Sequence, residues 1–408
     1  MAGLIPVDEA IARIVAGVAP LPGERVALAS SLGRTLAEPL AATRTQPPFP
    51  ASAMDGYAVR AADTVAVPAR LTVIGTSAAG HGFAGTVGPG EAVNLSTGAP
   101  LPEGADAVLI KENAERLDAT NVIALEPCIA GRNIRAPGYD FRQGDEILPA
   151  GRRLSVREIA VAAAMNHPTV PVRRRPKVAL IATGDELVLP GMIPGPDQIV
   201  ASTGPALAAF VQLNGGEAYD LGIALDTKAA IGARIDEALV LPAEIIVTLG
   251  GASIGDHDLV QSTLADKGMA LDFWKIAMRP GKPLMFGRLG ETRVLGLPGN
   301  PVSSIVCSIL FLKPLLAALT GEPVADPSEP ALLGGDLPEN DNRQDYLRAT
   351  LTIEADGLPV AKALSRQDSS GLGVLSSSQC LIIRAPFAPP AKAGEPCRVV
   401  RLRDWQLM

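Results

Sequence analysis

Pro176-Lys177-Val178-Ala179-Leu180-Ile181-Ala182-Thr183-Gly184-Asp185-Glu186 contains a short, wholly apolar run, 178–182, that stops at a polar loop containing glycine. The run 178–182 does not alternate apolar with polar, so it reads as a strand covered on both faces. Downstream, helical spacing near 205–213 is followed by a strand at 219–224 and a helix at 227–239. Another apolar strand at 244–249 ends in Gly250-Gly251, and a fourth at 294–297 leads into a long helix after Pro301. Strands alternating with helices predict a three-layer α/β domain with a mainly parallel sheet over about 176–325.

Outward from this block the pattern changes. Residues 7–18 have helical spacing, with Ile11, Ile14 and Val15 on one face. From 46 to 140, short apolar stretches (71–74, 92–95, 107–110) separated by Gly and Pro predict a β-rich insert. The stretch 151–165 reads as helical, with Val156, Ile159, Ala160 and Ala163 on one side. Residues 321–335, rich in Gly, Pro and acids, mark a boundary, and strands are expected beyond it at 346–353, 381–384 and 398–402. The division is therefore a discontinuous helical linker domain (1–45 and 141–175), a β-rich insert (46–140), the α/β domain (176–325) and a C-terminal β-domain (326–408).

Composition narrows the classes of function. A chain of 408 residues exceeds one ordinary core, and 47% apolar residues argue against disorder. The formal net charge of −7 argues against nucleic acid or an anionic membrane as the main partner. No signal peptide is expected, because Asp8 and Glu9 interrupt the start. The apolar run 303–319 contains Lys313 and Pro314 and reads as a buried helix rather than a span. Cys128, Cys307, Cys380 and Cys397 form no CxxC pair, so reduced thiols and a cytoplasmic location are expected. With three histidines, a histidine-rich metal cluster is not expected.

In an open α/β sheet, ligands sit beyond the carboxyl ends of the strands. Three loops hold that position here: Thr183-Gly184-Asp185-Glu186, Gly250-Gly251-Ala252-Ser253-Ile254-Gly255-Asp256-His257-Asp258, and Pro298-Gly299-Asn300-Pro301-Val302-Ser303-Ser304. Glycines let backbone N–H groups approach an anion, and Asp256 and Asp258 suit a bridging divalent cation. A tight turn with an aspartate N-cap explains the same loop equally well. It matches neither GxGxxG nor a P-loop. Asn300 can cap the helix that Pro301 opens. Arg279-Pro280-Gly281-Lys282-Pro283 fixes two cations close together, which suits a compact oxyanion. Upstream, Pro47 to Ala58 (with Asp55 and Gly56), Ser96-Thr97-Gly98 with Asp106, and Asn133 to Asp140 each read singly as structural loops.

Taken together and in order, these segments resemble the molybdopterin molybdenumtransferase family, of the bacterial MoeA type and the gephyrin E-domain. The segments that carry the likeness are 52–58, 97–106, 135–151, 183–187, 250–258, 273–283, 297–303, Tyr346-Leu347-Arg348 and Ser369-Ser370-Gly371. The resemblance implies molybdenum cofactor biosynthesis, with molybdenum from molybdate placed into adenylylated molybdopterin and AMP released, with Mg2+. Asp258, Asp226 and Glu186 would bind the metal and assist catalysis. Asp55, Thr97 and Asp140 would act from the insert of a homodimeric partner. Gly250, Gly251, Ser253, Pro298, Asn300, Pro301, Ser303 and Lys275 would contact substrate. Arg279, Lys282, Arg348 and Ser370 would hold molybdate. A transient complex with a molybdopterin adenylyltransferase is also expected. Two other readings share some of these features. An adenylyltransferase needs only the α/β domain, which leaves the insert and C-terminal domain unexplained. A non-catalytic scaffold leaves the acids unexplained.

Overall fold

The computed structural model describes residues 4–251, 259–353 and 357–402. The chain forms two compact units. One comprises Met1–Glu38, Ala150–Val156 and Pro171–Met408, and the other Pro39–Pro149 and Arg157–Val170. Residues 1–45 and 141–175, expected to form one linker domain, are thus divided between the two units. The reason lies in the first helix, Val7–Val15. Its apolar stripe Val7, Ala10 and Ile14 is buried in the same core as the α/β sheet.

The larger unit is built on a six-stranded sheet. Its order is Glu217–Ala224, Lys177–Thr183, Ile245–Leu249, Thr292–Leu297, Met285–Leu289, Ala270–Phe273. The first four strands are parallel; Met285–Leu289 pairs antiparallel to the fourth, and Ala270–Phe273 antiparallel to Met285–Leu289. The apolar run read at 178–182 sits near the centre, and its side chains alternate between layers. Val178, Leu180 and Ala182 join one core with helix Thr203–Leu213 and helix Pro301–Cys307. Ala179 and Ile181 join the other, with helix Lys228–Val240 and helix Leu259–Asp266. Two covered faces are why the run 178–182 carries no polar position.

Pro301 to Thr320 forms one continuous apolar helical rod. Its middle, Ser308–Leu312, is a π-turn. Pro314 explains it, since a proline inside a helix lacks an N–H and clashes with the carbonyl four residues earlier; an inserted residue relieves that clash. By length and composition this rod would pass as a membrane span, but it is mostly buried within the protein.

Beyond it, Ser328–Leu333, Gln344–Ile353, Pro359–Ala363, Cys380–Arg384 and Pro396–Arg401 pair into a closed ring of strands. The first of these falls in the stretch read as a boundary, where Pro330 and the acids masked it. The smaller unit contains a second six-stranded sheet: Ala107–Ile110, Gly56–Val59, Glu91–Leu95, Ala69–Ser77, Asn121–Ala124, Ala114–Arg116. Gly56 is required there, because a Cβ would lie 2.0 Å from the Leu109 carbonyl oxygen. The helix expected over 151–165 is Val156–Ala164, and it turns a different face inward. Glu158 and Ala162 are buried while Val156 is 70% exposed. Flanking Leu154 and Met165, both fully buried, set that rotation.

Candidate functional site

In the sheet order, the strand Lys177–Thr183 connects outward on one side to Glu217–Ala224, and the chain then crosses back to Ile245–Leu249 on the other. Loops leaving the two adjacent strands 177–183 and 245–249 therefore diverge. A crevice at such a switch point is the expected ligand position. A cavity of about 870 Å³ lies there. It takes in Gly184 and Glu186 from the first of the three loops, Gly250 and Gly251 from the second and Pro298 to Pro301 from the third, with Asp226 from the loop that follows strand Glu217–Ala224. Ser202, Thr203 and Gly204, the start of helix Thr203–Leu213, also face it, as do Pro283 and Ser370.

The glycines at its rim are structural necessities. Gly250 has φ +98°, and a Cβ there would stand 2.8 Å from the Thr183 carbonyl oxygen. Gly251 has φ +64°, and its Cβ would fall 2.1 Å from Val260. Only glycine lets this loop fold down against the strand end.

The cavity is lined by groups of both signs. Two helix N-termini, at Thr203 and Pro301, turn partial positive charge toward the cavity. Opposite in sign are the carboxylates. Asp185 accepts a hydrogen bond from the Asp226 N–H at 3.0 Å, which fixes Asp226 beside Asp185 and Glu186. Burial, then the charges of Asp185 and Glu186, hold the Asp226 carboxyl above its usual range. Such a group accepts a cation readily, and hard carboxylate oxygens suit Mg2+. Among the described residues no three His, Cys, Asp or Glu side chains are grouped to hold a metal ion. Asp258, expected as the third acid, and Ser253 lie outside the described residues.

Of the expected oxyanion residues, Ser370 faces the cavity. Its N–H donates to Asp368 at 2.8 Å, and its hydroxyl donates to the same carboxylate. Arg348 is fully buried, and its Nη2 donates to the Asp368 carbonyl at 3.2 Å. Its Nε–H has no partner, and burial lowers its pKa. Arg348 itself does not line the cavity; it stands behind Ser370, on the far side of Asp368. Arg279 lies outside the cavity lining, where its Nε donates to Asp345 at 2.8 Å and its Nη1 to Asp341 at 3.4 Å. Lys282 is reached through Pro283, which lines the cavity, and its carbonyl accepts the Ile276 N–H.

Other expectations fall elsewhere. Lys275 stacks its ammonium over Trp274 at 5.4 Å, away from the cavity lining. Ser303 is buried within its helix. Asn300 occupies the N-cap position, but its side chain makes no capping bond. Instead the Ser304 hydroxyl donates to the Asn300 carbonyl at 3.2 Å and to the Pro298 carbonyl. In the smaller unit, Asp55 accepts the Thr97 N–H at 2.7 Å and the Thr97 hydroxyl at 2.8 Å. Those two bonds hold its carboxyl below the usual range. Asp140 is exposed in the same unit, its N–H donating to the Gln46 carbonyl. Sequence reasoning missed the roles of Asp185 and of the helix start at Ser202-Thr203. A hydroxyl pair immediately before Gly204-Pro205 was the available N-terminus signal.

Fold and site together define an α/β protein with a cavity at a sheet's switch point, lined by helix N-termini, glycines and carboxylates. Comparison with known proteins makes this specific. Residues 5–166 match the MoeA N-terminal region (domain I and II), 179–318 a probable molybdopterin binding domain, and 330–402 the MoeA C-terminal region (domain IV). A Nostoc sp. molybdopterin molybdenumtransferase is 36% identical over 359 residues, 85% of this chain and 81% of that protein. The Bacillus subtilis molybdopterin molybdenumtransferase is 32% identical over 98% of this chain and 94% of its own. Among solved structures, the molybdopterin biosynthesis moeA protein of Pyrococcus horikoshii OT3 superposes with a TM-score of 0.82 at 28% identity. That match covers 98% of this chain and 100% of the other. The chain belongs to the MoeA family of molybdopterin molybdenumtransferases, enzymes of molybdenum cofactor biosynthesis.

Proposed function

We propose that the switch-point cavity takes adenylylated molybdopterin and that this enzyme transfers molybdenum from molybdate to the pterin with release of AMP. The observation that carries the reading is the cavity's mixed lining: helix ends and a glycine loop that suit phosphate, together with Glu186 and Asp226. Carboxylates facing a phosphate need a cation between them. Glu186 and Asp226 would hold Mg2+, with Asp258 as the third ligand on the strength of the family likeness. Bound there, the ion would neutralise charge building on the phosphates. The chain's own groups do the rest. Gly250, Gly251 and the Pro298–Pro301 turn shape the seat for the phosphate end. Asp185 holds Asp226 in place, Asp368 positions Ser370 at the cavity, and Arg348, bonded to the Asp368 carbonyl, would contribute to the molybdate pocket on the strength of the family likeness.

The likeness to MoeA extends through all three matched regions, which favours the transferase over an adenylyltransferase needing the α/β domain alone. Family kinship supports a homodimer in which a partner's Asp55, Thr97 and Asp140 complete the site, and a transient encounter with the adenylyltransferase. Four free cysteines favour a reducing, cytoplasmic setting. Neither nucleic acid nor membrane is a partner in this reading.

The test is AMP release from adenylylated molybdopterin with Mg2+, with and without molybdate. Molybdate should stimulate release, and Asp226→Asn should slow it about 100-fold or more. Mixing Asp226→Asn with Asp55→Ala chains should restore part of the rate if sites are shared between subunits. No AMP from the unaltered protein would overturn the reading.

A further inference from the structure

Several of the apolar side chains lining the switch-point cavity already serve the core. Leu249 and Val260 are buried, and Leu259 packs against the same layer as Val260. Among the described residues of the lining, only Ile199 and Val200 are large, apolar and exposed, Ile199 by 59% and Val200 by 41%.

Their strand is fixed through its backbone. Leu187–Val188 and Ile199–Val200 form a short parallel ribbon, with Leu187 beside Ile199 and Val188 beside Val200. The Ile199 N–H donates to the Glu186 carbonyl at 2.7 Å, and the Ala201 N–H to the Val188 carbonyl at 2.8 Å. Neighbours along a strand point to opposite faces. Leu187 and Ile199 share a face, and both line the cavity, so that face is its wall. Leu187 is rooted in the larger core, which leaves Ile199 as the side chain on offer. An isoleucine held rigidly beside Glu186 and left open to water gains by being covered with a flat apolar surface. Ser202 and Thr203 follow at once, at the helix start that also lines the cavity and suits phosphate.

We propose that Ile199, backed by Leu187, is a specificity-determining residue that seats a heteroaromatic ring of the substrate. The inference rests on the transferase reading, whose substrate carries two such rings, the purine of its adenylyl group and its pterin.

The Ile199 methyl resonances of the full chain, assigned by their loss in Ile199→Ala, test it. A ring lying over this side chain moves them upfield, and a sugar phosphate has no ring current to do so. In titrations with AMP, free pterin and ribose phosphate, at least one ring ligand should move them upfield and ribose phosphate should not. The ligand that moves them names the ring. Ile199→Ala should weaken that ligand about tenfold, the scale of a few methylenes uncovered. It should raise KM for adenylylated molybdopterin by a similar factor while kcat changes little, the pattern of lost uniform binding. Ile199→Leu should restore both. Ile193→Ala, on the same loop, 94% exposed and outside the lining, should change neither. Methyl signals unmoved by both ring ligands would overturn the proposal, as would undiminished affinity in Ile199→Ala. An equal loss for ribose phosphate, or an equal effect of Ile193→Ala, would do the same. AMP release by the unaltered protein tests the transferase reading separately, so release combined with unmoved methyls would sink the ring seat alone.

Discussion

Gly250 shows how one residue can hold a site open. A methyl group there would meet the Thr183 carbonyl and would have to adopt a φ of +98°. Gly250→Ala should therefore lower stability by about 1–3 kcal/mol, read by urea denaturation, and should weaken pterin binding more than a surface change of the same size would. Asp226 makes a prediction about pH. Its carboxyl is held above the usual range by burial, Asp185 and Glu186, so the folded state binds its proton more tightly than the unfolded chain. Stability from that proton is fully present below the unfolded value and lost as pH rises through the folded one; at neutral pH the ionised group is a net cost. With chelator present, Asp226→Asn should denature at higher urea than the unaltered protein at pH 7. The gap should close as pH falls below about 4. A gap that widened in acid would contradict the assignment. At this scale the acids and glycines of the three loops could be read in advance, because their chemistry is stated by residue type. The partnering of Asp185 with the Asp226 backbone could not, since it joins loops 41 positions apart.

Elements were readable where burial is uniform. The run 178–182 announces itself because both faces are covered, and the same holds for 245–249. Met285–Leu289 and Ala270–Phe273 escaped because Gly287 and Arg288 break the first pattern and the second is largely exposed. They make the antiparallel edge of a sheet whose parallel part was plain. The π-turn was equally hidden, although Pro314 in a helical run was its cause in plain view. Leu180 reports on the central strand: it is fully buried in the larger core. Leu180→Ala should cost about 2–5 kcal/mol by leaving a cavity that the surrounding layers cannot fill.

Across the whole molecule, each compact unit owns a core. Tyr57, Leu71 and Leu109 belong to the smaller one, and the sheet and rod to the larger. Units with separate cores unfold as separate cooperative steps. Scanning calorimetry should accordingly show Leu71→Ala lowering one transition and Leu180→Ala the other. A single transition shifted by both would show that the units melt together. The chain's division was only partly legible. Sheets betray themselves by composition, whereas the allegiance of residues 1–38 depends on which distant surface the first helix meets.

That first helix has a consequence for how the protein comes into being. Val7, Ala10 and Ile14 are synthesised some way ahead of their packing partners, which begin at Val178. Arg13, on the same helix, bonds to Asp272 across a separation of 259 positions. In the interval the whole of residues 39–149 is synthesised and can fold around its own core. The helix carries an uncovered greasy stripe until that later sheet is made, which makes it a natural handle for a chaperone and a place where a stalled chain would aggregate.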